Sequence, residues 1–306
     1  IVNEDAVDIL IDLSGHTGYN RLATFALKPA PVALGWIGYP CTSGLIAMDY
    51  HICGTGMAKP GELDDQFTEK LIFMPMPVQY EPPKNVPDVN PLPALSNGVF
   101  TFGSLNRPKK ISDGVVATWA KILTAAPNAR MLIGYMPSEE VSARLREKFE
   151  ALGVKSDQLI FRAKTHFAEY MRMHLEIDLM LDTFPYDGGT TSNNAVWMGV
   201  PMLTLSGRTM AGRQGNEIIK AYQLEQFLVK DEEAYIEHAL AWIDKKEELN
   251  SIRLNMRERF VQRKNDVVDP SRTFEKLLRT IWQNYCDGKK PQSFVLDIKD
   301  IEASQE

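Results

Sequence analysis

The residues of this 306-residue chain best suited to chemistry lie in the run Asp182-Thr-Phe-Pro-Tyr-Asp-Gly-Gly-Thr-Thr-Ser-Asn-Asn194. Gly188 and Gly189 permit close backbone approach or positive φ. Thr190 and Thr191 follow where a helix would begin. Their hydroxyls and the N–H groups of a first helical turn suit a diphosphate, helped by the helix dipole. The same spacing also makes a plain glycine-rich turn with a threonine N-cap, and the residues alone balance the two. A second segment is Leu105-Asn-Arg-Pro-Lys-Lys-Ile111. Lys110, just before a predicted helix, can pair with a phosphate and offset charge on a leaving diphosphate. A solvated basic turn is the commoner fate of such a lysine. The third segment is Arg162-Ala-Lys-Thr-His-Phe-Ala-Glu-Tyr170, from which a ring can stack on a nucleobase, although core packing of Phe167 and Tyr170 is the favoured reading. The fourth is Gly35-Trp-Ile-Gly-Tyr-Pro-Cys-Thr-Ser-Gly44, where Gly38 and Pro40 make either a cleft-facing backbone feature or a structural turn.

Other chemistry finds little support. His16 follows a predicted strand and can face a cleft, His51 lies within a strand, and His166, His174 and His238 fall in helices. No HxxxH pattern points to a metal and no GxSxG to a nucleophile. Asp182 suits a base, or simply a cap for the loop it opens. The cysteines, Cys41, Cys53 and Cys286, are odd in number and far apart, which argues for a reducing, cytoplasmic setting rather than a disulfide framework. Net charge is -6 and no long basic run occurs, so nucleic acid is not the expected partner. No apolar run reaches membrane-spanning length. The chain begins at Ile1 a few residues before a strand, as a C-terminal piece of a longer protein would.

The elements that must position these residues fall into two patterns. Strands are predicted at Asp8–Leu13, Val32–Ile37, Met48–Cys53 and Lys70–Met74, with a short helix over Asn20–Leu27. Between Pro75 and Pro93 there are seven prolines, which exclude helix and central strand and suggest a linker. Strand and helix then alternate from Val99 to Leu205, which argues for a parallel sheet wrapped by helices. Ligands to such a sheet bind at the carboxyl ends of its strands. Long helices are expected over Glu232–Lys264 and Ser271–Tyr285, and a polar, frayed tail over 287–306.

Taken together, the ordered segments resemble the catalytic region of the O-linked N-acetylglucosamine transferase and SPINDLY-type glycosyltransferase family. The resemblance rests on Ile9-Leu-Ile-Asp-Leu-Ser-Gly-His-Thr17, Lys28-Pro-Ala-Pro31, Trp36-Ile-Gly-Tyr-Pro40 with Thr42-Ser-Gly44, and Met48-Asp-Tyr50. It continues through Glu69-Lys-Leu71, Lys110-Ile111, Leu181-Asp-Thr-Phe-Pro-Tyr186, Gly188 with Thr190-Thr191, and Trp197-Met-Gly-Val-Pro201. It implies an α/β fold of GT-B type, with a doubly wound C-terminal Rossmann lobe and part of an N-terminal Rossmann-like lobe. The expected organisation is residues 1–80 as the end of an acceptor-side lobe, 81–97 as linker, 98–265 as the nucleotide-sugar lobe and 266–306 as C-terminal helix and tail.

By the same resemblance, the activity is inverting, metal-independent transfer of a sugar, N-acetylglucosamine first, from a nucleotide diphosphate sugar to Ser or Thr hydroxyls of proteins. The donor is a substrate, and no cofactor is implied. GDP-fucose, UDP-glucose and a nucleotide-binding pseudoenzyme stay open. Lys110 is similar to the lysine at the donor diphosphate, Thr190 and Thr191 to threonines at the phosphates, and Tyr170 to a residue stacking on the base. Ile37, Gly38, Pro40 and Tyr186 correspond to contacts around the sugar. Three positions depart from the pattern: Arg107 with Pro108 replaces an amide-containing stretch, Gly189 replaces His or Thr, and Asn194 replaces an acid near the ribose. The family's catalytic histidine segment and its helical repeats fall upstream of the matched region, so no general base is assigned, His16 being carried only as a candidate. This piece alone is expected to be inactive.

Overall fold

The computed structural model describes residues 1–76, 80–266 and 269–302, so Pro77 of the proline run and 303–306 of the expected tail lie outside the described residues. The chain divides into two compact units, residues 1–79, 209–211 and 266–306 forming one and residues 80–208 and 212–265 the other.

The first unit opens with strand β1 (Ile9–Asp12), the short helix α1 (Leu22–Ala26), and strands β2 (Val32–Gly35), β3 (Tyr50–Gly54) and β4 (Lys70–Met74). All pair in parallel. Their runs are apolar on both faces, as parallel strands covered on both sides require. Val32, Leu34, Tyr50, Ile52, Ile72 and Met74 share one face. The alternate residues Ala33, Cys53, Leu71 and Phe73 pack on the other.

The second unit begins with α2 (Pro93–Asn97), a helical turn that starts at a proline and ends at Gly98 with φ +75°, at the end of the stretch expected to be linker. Alternation then follows: β5 (Thr101–Ser104), α3 (Asp113–Ala125), β6 (Arg130–Met136), α4 (Glu139–Ala151), β7 (Leu159–Ala163), α5 (Phe167–Met173), β8 (Leu179–Leu181), α6 (Thr190–Trp197), β9 (Met202–Leu205), α7 (Gln214–Ala221) and β10 (Leu228–Val229). Ser112 and Ser138 cap α3 and α4, accepting from the N–H groups of Val115 and Val141. The helix expected over Glu232–Lys264 is three: α8 (Glu232–Ile243), α9 (Lys246–Leu254) and α10 (Met256–Asp266). The breaks fall at Asp244-Lys245 and Asn255, where the short polar side chains of Asp244 and Asn255 compete for the backbone within a charged surface pattern that conceals them.

The sheet order is β10-β9-β8-β5-β6-β7, entirely parallel. Winding runs outward from β5 in one direction through β6 and β7, and in the other through β8, β9 and β10. The order therefore reverses between β5 and β8, and the crevice beyond their carboxyl ends is where such a sheet binds ligands.

The chain then returns to the first unit. Helix α11 (Pro270–Cys286) lays Leu277 and Ile281 on the sheet face of Val32 and Ile72. Strand β11 (Phe294–Val295) pairs with β4, ahead of a last turn α12 (Lys299–Glu302). The frayed tail is thus corrected at 294–296: the open edge of β4 takes up the backbone of Phe294–Val295, and Leu296 enters the core beside Leu277.

Candidate functional site

Lys110 and the Asp182–Asn194 run meet because they follow adjacent strands at the reversal point. Beyond β5, Pro108–Lys110 forms a single 3-10 turn in which the Lys110 N–H bonds the Arg107 carbonyl. That turn aims Lys110 Nζ at the backbone carbonyl of Asp187, 2.6 Å away, with the Tyr186 ring 3.7 Å from the ammonium. Beyond β8, Asp182 organises the turn. Its Oδ1 accepts from the N–H groups of Thr183 and Gly188, each at 2.9 Å, and from Asn106 Nδ2 at 3.2 Å. Asp182 is thus a cap, the second of the two roles its sequence position allowed. Gly188 is closely packed here, since a Cβ would lie 2.1 Å from Ser192 Oγ and 3.1 Å from Asp182 Oδ1.

The turn delivers Gly189 to the N-cap of α6 with no side chain capping the first turn. A helix start of this kind leaves N–H groups for an external acceptor. Thr190 is exposed there and Thr191 half-buried. Asp187 ties the turn to the next helix, its Oδ2 accepting from the Gly215 N–H of α7 at 2.6 Å. Its Oδ1, together with Ser192 Oγ and Ser104 Oγ, is buried with no hydrogen-bond partner among the described residues. Arg107 is exposed at the mouth of the same loop.

The electrostatics divide the acidic pair. Burial raises Asp182 to about 6, against the opposing pull of the Gly188 N–H, Lys110 and its other donors. Asp187 is pushed well above the carboxylate range by burial first and by the charge of Asp182 second. Three N–H donors favour the anionic form at Asp182, whereas Asp187, with one donor and the charge of Asp182 beside it, is the member driven toward the neutral form. Lys110 is drawn below its ordinary value by burial, with Asp182 and Asp187 opposing.

Midway along α6, Asn194 is 5% exposed. Its Nδ2 donates to the Tyr170 hydroxyl at 3.4 Å and its Oδ1 accepts from the Tyr80 hydroxyl at 2.7 Å. Tyr170 is packed edge-on to Tyr135 and His174, and Phe167 stacks on it at 6.0 Å. Tyr170 is 8% exposed and Phe167 52%, so Phe167 is the outer ring of this group.

The remaining expected residues lie in the first unit, on loops beyond β1 and β2. Asp12 caps the first loop by accepting from the Ser14 and Gly15 N–H groups at 3.1 and 2.9 Å. His16 is exposed on it, its Nε2 3.1 Å from the Thr42 carbonyl oxygen. The second loop crosses the first at Gly38, where a Cβ would lie 2.3 Å from the carbonyl carbon of Ser14. Ile37, at φ +63° and 48% exposed, and the half-buried Pro40 flank the crossing. Glu69, almost wholly buried, accepts from Thr42 Oγ1 and the Ser43 N–H, both at 2.7 Å, and so fixes the Thr42–Gly44 turn. Burial pushes Glu69 upward, but the bonds from Ser43 and Thr42 outweigh it and hold the carboxyl below its ordinary value. His51 packs beneath Gly35, where a Cβ would meet its ring at 2.7 Å, and burial lowers it against the pull of Glu69 and Asp12.

The model of glycosyl transferase family 41 matches residues 1–79 and 92–269. The chain belongs to this family. A probable UDP-N-acetylglucosamine–peptide N-acetylglucosaminyltransferase SPINDLY of Solanum lycopersicum is 36% identical over 302 residues, covering 95% of this chain and 32% of the relative. The corresponding SEC protein of Arabidopsis thaliana is 29% identical over 313 residues, 99% of this chain and 32% of that one. A mutant O-GlcNAc transferase of Thermobaculum terrenum has 32% identity and a TM-score of 0.85, over 94% of this chain and 55% of that structure. The chain thus spans about a third of the curated relatives, and its two parallel-sheet units are those of the GT-B fold.

Against this family-41 frame, sequence reasoning passed over Asp187, Asn106 and Tyr80. Asp187 was inside the central run, but nothing in its neighbours shows that its carboxyl reaches a helix not predicted at all, α7. Asn106 next to Arg107 had a legible signal, being an amide directly after a strand at a ligand-binding edge. Tyr80 had none, standing in the proline run 114 residues from its partner.

Proposed function

We propose that the full-length protein transfers N-acetylglucosamine from a nucleotide diphosphate sugar to serine or threonine hydroxyls of proteins, inverting the anomeric centre and needing no metal ion. One observation carries this reading: Lys110 is held against the turn whose next residues open α6. An ammonium and uncapped helical N–H groups then serve one diphosphate. The acceptor hydroxyl oxygen attacks the anomeric carbon, the bond from that carbon to the diphosphate breaks, and its electron pair passes to the departing phosphate. Lys110 and the first turn of α6 stabilise that growing charge, while the hydroxyl proton goes to a base that stays unassigned.

Around these phosphates, Gly188 and Gly189 give the backbone its close approach, and Thr190 and Thr191 supply hydroxyls and N–H groups. Tyr186 orients Lys110 and borders the sugar. Arg107 stands where it can add positive charge at the diphosphate. Phe167 and Tyr170 receive the base and Asn194 the ribose. The names of the SPINDLY and SEC relatives support UDP-N-acetylglucosamine as donor.

Removing one preorganised cation from a leaving group costs about 3 kcal/mol in the transition state. Lys110→Ala in the full-length protein is therefore expected to lower turnover roughly a hundredfold. Turnover near that of the unaltered protein would remove Lys110 from the mechanism. Titration calorimetry with UDP and GDP decides the base, and tight GDP binding without UDP binding would replace the donor. Loss of transfer in excess chelator would overturn metal independence.

A further inference from the structure

We propose that Tyr80 is a specificity-determining residue for the ribose of the donor nucleotide, its hydroxyl accepting from a ribose hydroxyl while donating to Asn194. This rests on the reading that the second unit binds a nucleoside diphosphate at α6.

The position follows from helix geometry. Asn194 stands four residues after Thr190 and three after Thr191, on the same face of α6 and about 6 Å further along the axis. On that reading, the ribose of the bound nucleotide lies beside Asn194. Asn194, however, has little surface left to offer. It is buried to 5% exposure, with Oδ1 occupied by Tyr80 and Nδ2 by Tyr170. In the chain Tyr80–Asn194–Tyr170, Asn194 and Tyr170 are buried and Tyr80 is half-buried, so Tyr80 is its most accessible member.

The chemistry fits a hydroxyl. A carboxylate at position 194 would accept from two ribose hydroxyls by itself, but an amide presents one acceptor atom, here already engaged. A phenol that spends its proton on Asn194 Oδ1 keeps its oxygen lone pairs for an incoming O–H. Burial and the neighbouring Tyr170 push the Tyr80 phenol upward, so it stays a neutral hydroxyl at working pH. Its ring is fixed edge-on to Phe260 at 6.1 Å, and Phe260 stacks on Tyr222 at 5.8 Å. The hydroxyl is therefore held in place before a ligand arrives, which reduces the cost of ordering it on binding.

The test is titration of the full-length protein with UDP and GDP, and with the 2′,3′-dideoxy form of whichever binds. Tyr80→Phe keeps the ring and its packing, and an unchanged melting temperature shows the fold intact. The unaltered protein is expected to prefer the ribonucleotide, and Tyr80→Phe to bind it about tenfold more weakly while its dideoxy affinity barely moves. A ribose preference unchanged in Tyr80→Phe overturns the inference and leaves nucleotide binding standing. A protein that binds neither nucleotide overturns both. Equal weakening toward the ribo and dideoxy forms overturns it as well, since it marks a merely structural role.

Discussion

Asp182 and Asp187 place two carboxyl groups in a buried setting within one turn, and the fold resolves the conflict by unequal hydrogen bonding. Asp182 has three N–H donors, whereas Asp187 has one donor and an unpartnered oxygen. The pH dependence follows from the direction of the shifts. Asp182 is raised from the ordinary value to about 6. A raised carboxyl holds its proton more tightly when folded, so its stabilising contribution is complete at low pH. It is lost as pH rises between the ordinary value and about 6. The shift corresponds to about 3 kcal/mol as an upper figure. Relative to Asp182→Asn, the unaltered protein is expected to gain melting temperature as pH falls from 7 to 4.5. A gap between the two that does not change with pH would show that Asp182 does not titrate in this window.

At the scale of elements, the proposed donor site is a pair of βα loops whose shape depends on a few close approaches. The start of α6 is set by Gly188 lying against Ser192 and Asp182. Gly188→Ala is expected to displace that first turn and weaken nucleotide binding on the order of tenfold or more, with a cost of about 1–3 kcal/mol in stability. The nearest obstruction is the tip of a serine side chain, so Ser192→Ala in the same protein should restore part of the loss. Affinity of the single and double variants, compared by calorimetry, checks this. Additive losses would mean that the two positions do not meet. In the first unit the loop crossing at Gly38 is of another kind, since backbone stands on the obstructed side and no second substitution can relieve it.

At the scale of the molecule, the first unit is built from both ends of the described chain. Its core cluster draws Leu277, Ile281 and Leu296 from beyond residue 269, and Trp36 stacks on Phe274 at 4.6 Å. Fully burying each aliphatic side chain contributes about 1.5–3 kcal/mol, so removing three approaches the whole stability of a small domain. A chain ending at Asp269 is therefore expected to lose protection in the first unit and keep it in the second. Amide hydrogen exchange across the two units measures this. Equal protection in both would show that α11 and β11 are dispensable. No helix among the described residues is long and apolar enough to cross a membrane.

How much of this was legible in the sequence depended on how local the determining contact is. The parallel-sheet units and the glycine-rich turn into α6 are set by periodicity and by glycine and proline placement over a few residues. So Lys70–Met74 was bounded correctly as a strand. Ordered motifs added the family, which no single element carries. Tertiary structure alone decided the rest. It paired β5 with β8, and so brought Lys110 to Asp187 across 77 residues. It also turned a polar tail into the last strand of the first sheet, and it set Tyr80 against Asn194. The physical reason is the same in each case. A hydrogen-bonding group seeks whatever partner burial brings near, and which partner that is depends on strand order, a property of the folded chain that no window of sequence contains.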